Sequence, residues 1–204
     1  MSDFFVKAGE LIQPAIDRAA GIGGGRVVLL PGIHRSGTTY LKSNVELHIP
    51  AGAELHGGSR PEDYDVLPAA EYGDYRPEKS PRALLAAAGA ENIALTGGGT
   101  IDGHGPAFFD TTPSGMEHFF YPKPPLERPR MLQFARCRNV RFADLLFLNS
   151  PNWTIWLIEN EEVSFRNVRI QGDPRLINND GIHLFGGRRI TISDCRISTG
   201  DDAL

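Results

Sequence analysis

Asp180, Asp201 and Asp202 are the residues whose types and spacing could do chemistry together. They lie in the run from Asn178-Asn179-Asp180-Gly181 to Gly200-Asp201-Asp202, with Asp180 and Asp202 22 residues apart. A repeat of similar length surrounds them. If that repeat is one turn of a parallel β-helix, Asp180 and Asp202 stand on neighbouring rungs, about 4.8 Å apart, and face one pocket. Asp201 flanks Asp202 in the same turn. Like charges this close cannot all ionise freely. A carboxyl that keeps its proton beside ionised ones is the arrangement glycosidic bond cleavage needs.

The elements that would position these acids follow from the repeat. Its unit is a polar or turn residue followed by apolar-x-apolar. Asn44-Val45-Glu46-Leu47, Asn92-Ile93-Ala94-Leu95, Asn139-Val140-Arg141-Phe142, Glu162-Val163-Ser164-Phe165 and Arg189-Ile190-Thr191-Ile192 all fit. The first apolar positions step by 48, 47, 23 and 27 residues, so insertions or extra turns are expected inside the first two steps. Short β-rich units with a period in the twenties predict a solenoid. A second strand position is expected at Leu145-Leu146-Phe147, Val168-Arg169-Ile170 and Cys195-Arg196-Ile197. A third is expected at Asn152-Trp153-Thr154-Ile155, Asn179-Asp180-Gly181-Ile182 and Asp201-Asp202-Ala203-Leu204. This alignment places Trp153, Asp180 and Asp202 in one column and Asn152, Asn179 and Asp201 in the next. Alternation along a strand would splay the two columns, whereas a bend at the strand end could bring both toward solvent.

The 204 residues suffice for one domain with a substantial core. Residues 7–20 predict an N-terminal amphipathic helix with Ala8, Leu11, Ile12, Ala15, Ile16 and Ala19 on one face. Pro14 suggests that its regular part begins near Glu10, and Gly21 is a natural stop. Two stretches interrupt the repeat, 57–88 and 103–130. Long irregular insertions on a solenoid commonly carry function. The second holds Phe108, Phe109, Phe119, Phe120 and Tyr121, which could stack on sugars or anchor the loop.

Other classes of function fit poorly. A net charge of −4 argues against a nucleic-acid partner. No run of about 18 apolar residues is present, so no membrane span is expected. The residues Met1-Ser2-Asp3-Phe4-Phe5 lack the basic start of a signal peptide. Either the protein stays inside the cell or a leader has been removed, and the sequence leaves localisation open. Glycines 21, 23, 24 and 25 lack the strand–Gly-x-Gly-x-x-Gly–helix order of a dinucleotide loop. Cys137 and Cys195 read as buried free thiols. His34, His48, His56, His104 and His118 show no ligand spacing, and neither metal nor cofactor is expected. Arg128, Arg130, Arg136, Arg138 and Arg141 could bind an acidic polysaccharide, although surface solvation is expected for most. Asn152-Trp153-Thr154 matches a glycosylation acceptor, but its place in a strand turn argues against occupancy.

In order along the chain, the sequence resembles the polygalacturonase-type glycoside hydrolases of the pectin lyase-like β-helix class. The matching pieces include Gly23-Gly24-Gly25-Arg26-Val27-Val28, Leu41-Lys42-Ser43-Asn44-Val45, Gly97-Gly98-Gly99-Thr100-Ile101-Asp102-Gly103 and Asn149-Ser150-Pro151-Asn152-Trp153. The most specific are Asn178-Asn179-Asp180-Gly181-Ile182 and Thr199-Gly200-Asp201-Asp202-Ala203. The resemblance implies an all-β, right-handed parallel β-helix that hydrolyses α-linked galacturonan by single displacement with inversion. It implies Asp201 as general acid, Asp180 and Asp202 as activators of water, and Asn178 as a supporting polar group. From the residues themselves, His183 and Trp153 are candidates for substrate contact, against a strand-face histidine and a tryptophan that covers the core.

Two departures stand out. The family usually has Thr at the position of Asn179 and Asp at that of His183. The family's later Gly-His-Gly and Arg-x-Lys segments, which bind the substrate carboxylate, have no counterpart before Leu204. The chain is thus expected to be the N-terminal part of a longer enzyme and inactive alone. Two alternatives remain open at this stage. One is a pectate lyase-like β-elimination; the other is a non-catalytic polysaccharide-binding β-helix.

Overall fold

In the computed structural model, which describes residues 2–112 and 119–204, every strand ladder is parallel. The strands form three sheets of seven, six and five. The chain visits the sheets in turn and climbs one rung per circuit, which makes a right-handed parallel β-helix. The seven-stranded sheet includes Val45–His48, Glu91–Thr96, Arg138–Ala143, Glu161–Arg166 and Arg188–Ser193 on successive rungs. These are the five repeat units. Val140 pairs with Ile93 on one side and Val163 on the other, and Val163 pairs with Ile190. The steps of 48 and 47 residues are therefore single rungs enlarged by insertions, not pairs of rungs.

The polar residue that opens each unit has a backbone role. Asn44, Asn92, Asn139, Glu162 and Arg189 all have φ between +53° and +61°, the left-handed region that lets the chain turn into the strand. Asparagine tolerates this conformation and also pairs between rungs. Asn92 Nδ2 donates to Asn44 Oδ1 at 2.7 Å, and Asn139 Nδ2 donates to Asn92 Oδ1 at 2.8 Å. The apolar positions that follow fill the interior. Phe142 and Phe165 stack there with ring centres 4.4 Å apart.

The N-terminus differs from the expected helix over 7–20. Residues Asp3–Val6 form a strand that pairs with Gly25–Leu29, and the helix spans only Gln13–Gly21. Pro14 lies in its first turn, where a missing N–H costs nothing, so the helix cannot extend back through Leu11. Leu11 and Ala8 are exposed, while Ala15, Ile16 and Ala19 pack into the core. The first insertion is also shorter than 57–88, because Ala83–Ala88 is a buried strand of the five-stranded sheet. An alanine-rich run favours strands poorly. Here its alanines pack beside larger residues: Ala83 and Ala86 join Trp156 and Tyr72 in one apolar cluster, and Ala87 is the register partner of Phe134.

Candidate active site

The six-stranded sheet includes Arg169–Gln171 paired with Arg196–Ser198. The five-stranded sheet includes Ile155–Ile158 paired with Ile182–Phe185. The corner between these sheets carries the acids. Backbone hydrogen bonds extend the ladder below Ile155 and Ile182. Thr154 N–H donates to Asp180 O, and Gly181 N–H donates to Asp202 O at 2.8 Å. Trp153, Asp180 and Asp202 therefore occupy successive rungs. Carboxylate oxygens of Asp180, Asp201 and Asp202 all lie within 4.8 Å of one another. Asp180 is buried, whereas Asp201 and Asp202 are exposed.

The second expected column divides. Asn152 and Asn179 point inward and hold backbone. Asn152 Nδ2 donates to Arg128 O, Asn179 Nδ2 donates to Asp173 O, and Asn179 Oδ1 accepts the N–H of Gly200 at 2.7 Å. Asn179 thus fastens the turn that carries Asp201. Asp201 itself turns out of the ladder and joins the other acids, so the splaying expected from alternation fails at this rung. Burial of Asn152, with its amide engaged, also closes the glycosylation match.

His183 and Trp153 converge on Asp180. The His183 Nε2 is 2.6 Å from Asp180 Oδ2, and its ring lies 3.7 Å from that of Trp153 at an angle of 12°. The other oxygen, Asp180 Oδ1, is buried with no protein hydrogen-bond partner among the described residues. The arrangement fixes one oxygen and leaves the second shielded from solvent, without a protein partner among the described residues.

Asn178 adopts a left-handed φ of +62°, and its Oδ1 accepts from Arg128 at 3.0 Å. Arg128 also donates to Pro151 O and Ile177 O and lies over the ring of Phe109. Arg130 donates to Ser80 O and Pro77 O and stacks 4.4 Å from Trp156 and 5.4 Å from Trp153. Both guanidinium groups are fully buried. Burial, with the repulsion of Arg76 behind it, pushes the Arg130 pKa down to about 9. Neither arginine is the surface cation that composition suggested. Arg128 fastens the second insertion to the turn that carries Asp180, and Arg130 fastens the first insertion to the strand Arg130–Ala135. Nothing in the residue spacing signalled this. Arg136, Arg138 and Arg141 are exposed, and the last two pair with Glu162 and Glu46.

The aromatic residues of the second insertion divide similarly. Phe108, Phe109 and Tyr121 are buried anchors, while Phe119 and Phe120 are exposed. Cys137 is a buried thiol and Cys195 is half-buried; neither forms a disulfide. His118 lies outside the described residues. His56 and His104, without ligand spacing in the sequence, meet across adjacent rungs at 3.0 Å.

The family model described as Glycosyl hydrolases family 28 matches residues 40–204. The chain belongs to this family. An exopolygalacturonase of Arabidopsis thaliana is 30% identical over 115 residues, covering 56% of this chain and 26% of the relative. A probable polygalacturonase of Vitis vinifera is 25% identical over 186 residues, covering 89% of this chain and 36% of the relative. Among solved structures, a hyperthermoactive exopolygalacturonase of Thermotoga maritima superposes with a TM-score of 0.76 at 28% identity, over 99% of this chain and 54% of that one. This family 28 chain spans between 22% and 36% of the length of those curated relatives that set the extremes.

Proposed function

We propose that the protein containing this chain hydrolyses α-linked galacturonan or a related pectic polysaccharide. The observation that carries the proposal is the meeting of three carboxylates from successive rungs, with oxygens within 4.8 Å of one another, in a family 28 chain. Asp201, exposed and held by the Asn179–Gly200 contact, acts as general acid and gives its proton to the leaving glycosidic oxygen. Asp180 and Asp202, stacked one above the other, orient a water and take its proton as it attacks the anomeric carbon. His183 holds one Asp180 oxygen and so sets the orientation of the carboxylate beside Asp202. Asn178 and Trp153 shape the floor and wall of the site.

Carboxyl groups about 5–5.5 Å apart usually signal retention, while wider pairs signal inversion. The reaction is nevertheless proposed to invert, because a stacked pair sharing one water is not the acid-to-base pair to which that distance rule applies. Substrate is polysaccharide or oligosaccharide. The long insertions beside the site, and the exopolygalacturonases among its relatives, support attack at a chain end.

The test uses the full-length protein with polygalacturonate. Proton NMR of the first product should show the inverted anomer, and Asp201→Asn should lower the rate by about 10²–10⁴-fold. An unsaturated, UV-absorbing product would instead establish elimination. Undiminished polysaccharide binding with no cleavage by the parent protein would establish a binding module.

A further inference from the structure

A second constellation lies on the six-stranded sheet, away from the acids. His56 ends the strand Ala53–His56, and Asp102 ends the neighbouring strand Thr100–Asp102, where the two are register partners. His104 follows two residues later with φ at +53°, and its backbone N–H donates to Asp102 Oδ1 at 2.8 Å. That left-handed turn swings the imidazole back over the sheet. His104 Nε2 comes to 3.0 Å from His56 Nδ1, with the rings nearly perpendicular. Donor atoms of His56, Asp102 and His104 all lie within 4.8 Å of one another.

We propose that His56, Asp102 and His104 form a binding site for one divalent transition-metal ion of the zinc class. Four features support it. Two ligands bonded to one tetrahedral ion at about 2.0–2.1 Å lie a little over 3 Å apart, close to the separation of the two imidazole nitrogens. The remote nitrogen of His56, Nε2, is 2.6 Å from Glu54 Oε2. A carboxylate on the far nitrogen fixes the tautomer whose near nitrogen carries the lone pair, and this is the usual support of a metal-bound histidine. Two imidazoles with one carboxylate are a donor set that zinc, nickel and copper accept and calcium or magnesium do not favour. The cluster borders a cleft of about 440 Å³ lined by His104, Ser36, Gly57 and Ser59, which leaves a fourth position open to water. Arg35 also lines this cleft and opposes a cation; Asp63 on its wall is paired with Arg60 at 3.0 Å.

The location gives the ion a role. Both long insertions leave the β-helix beside this cluster, one after His56 and one after Asp102. An ion bound here ties their roots together across two rungs. The inference does not depend on the hydrolytic reading. Two steps of the sheet separate the strand Thr100–Asp102 from Arg169–Gln171, which leads to Asp180, or about 10 Å at the spacing of adjacent strands, and none of the three ligands belongs to the acid cluster.

The test is titration of the chelator-treated protein with zinc chloride by calorimetry, with melting followed by circular dichroism. One equivalent should bind and the melting temperature should rise with zinc concentration. Cobalt(II) in place of zinc should give the visible absorption of a nitrogen-ligated ion. His56→Ala and His104→Ala should each abolish the zinc-dependent rise, while keeping the β-sheet spectrum of the zinc-free parent. Asp201→Asn should bind zinc as the parent does. Absence of stoichiometric binding would overturn the proposal. So would binding that survives His104→Ala, or binding that Asp201→Asn removes, which would place the ion among the acids. If an alanine variant loses its β spectrum, His104→Gln provides the same comparison with the volume kept.

Discussion

Removal of His183 should expose how Asp180 is held. In the folded protein Asp180 is buried, with a side-chain accessibility of 5%, and one oxygen has no protein partner among the described residues. The contact at 2.6 Å from His183 is the side-chain hydrogen bond recorded for its other oxygen. A hydrogen bond to a charged group contributes about 1.5–3 kcal/mol, and a buried carboxylate left without it bears its desolvation cost as well. His183 is itself about a quarter exposed, so water screens part of the loss and the lower half of that range applies. His183→Ala should therefore destabilise the protein by about 1.5–2 kcal/mol in urea unfolding. A double-mutant cycle isolates the pair from the lost stacking on Trp153. In an Asp180→Asn background the same His183→Ala change should cost at least about 1 kcal/mol less. His183→Gln, which keeps a donor, should recover part of the loss. Costs of His183→Ala equal within about 0.3 kcal/mol in the two backgrounds would refute this account of the contact. Activity of the full-length protein on polygalacturonate should fall about tenfold or more in His183→Ala, through kcat rather than KM, if the histidine aims the water-activating carboxylate.

Two further outcomes follow from buried groups elsewhere. Asn160 is fully buried; its amide donates to Phe134 O and Ile158 O, and its oxygen accepts the N–H of Cys137 at 2.8 Å. Asn160→Ala leaves these backbone groups without water or partner and should cost about 2–4 kcal/mol in denaturant unfolding, against about 1 kcal/mol for an exposed asparagine of the outer ladder such as Asn139. Burial pushes the Cys137 thiol up from 9.0 to about 11. The neutral thiol is thus the folded form, so its contribution to stability should be complete below pH 9 and decline as the pH rises toward about 11. At pH 8 a thiol reagent should label the half-buried Cys195 well before Cys137; equal rates would contradict that burial.

The apolar-x-apolar units named the strands of one sheet and their register, down to the column Ile93–Val140–Val163–Ile190. They could do so because burial of alternate side chains is written locally, in the residue types themselves. The column that brings Asp180 above Asp202 was legible for the same reason, since their rungs are short and uninterrupted. What escaped depended on rungs of unequal length. A step of 48 residues reads equally as two turns or as one turn with an insertion, and only the ladder itself shows which. On that choice rest the meeting of His56 with His104, the inward turn of Arg128 and Arg130, and the strand status of Ala83–Ala88. Side-chain direction at the corner also lay beyond the pattern. Asn179 turns inward while Asp201, one rung on in the same column, turns out, because the backbone bends there and strand alternation no longer applies.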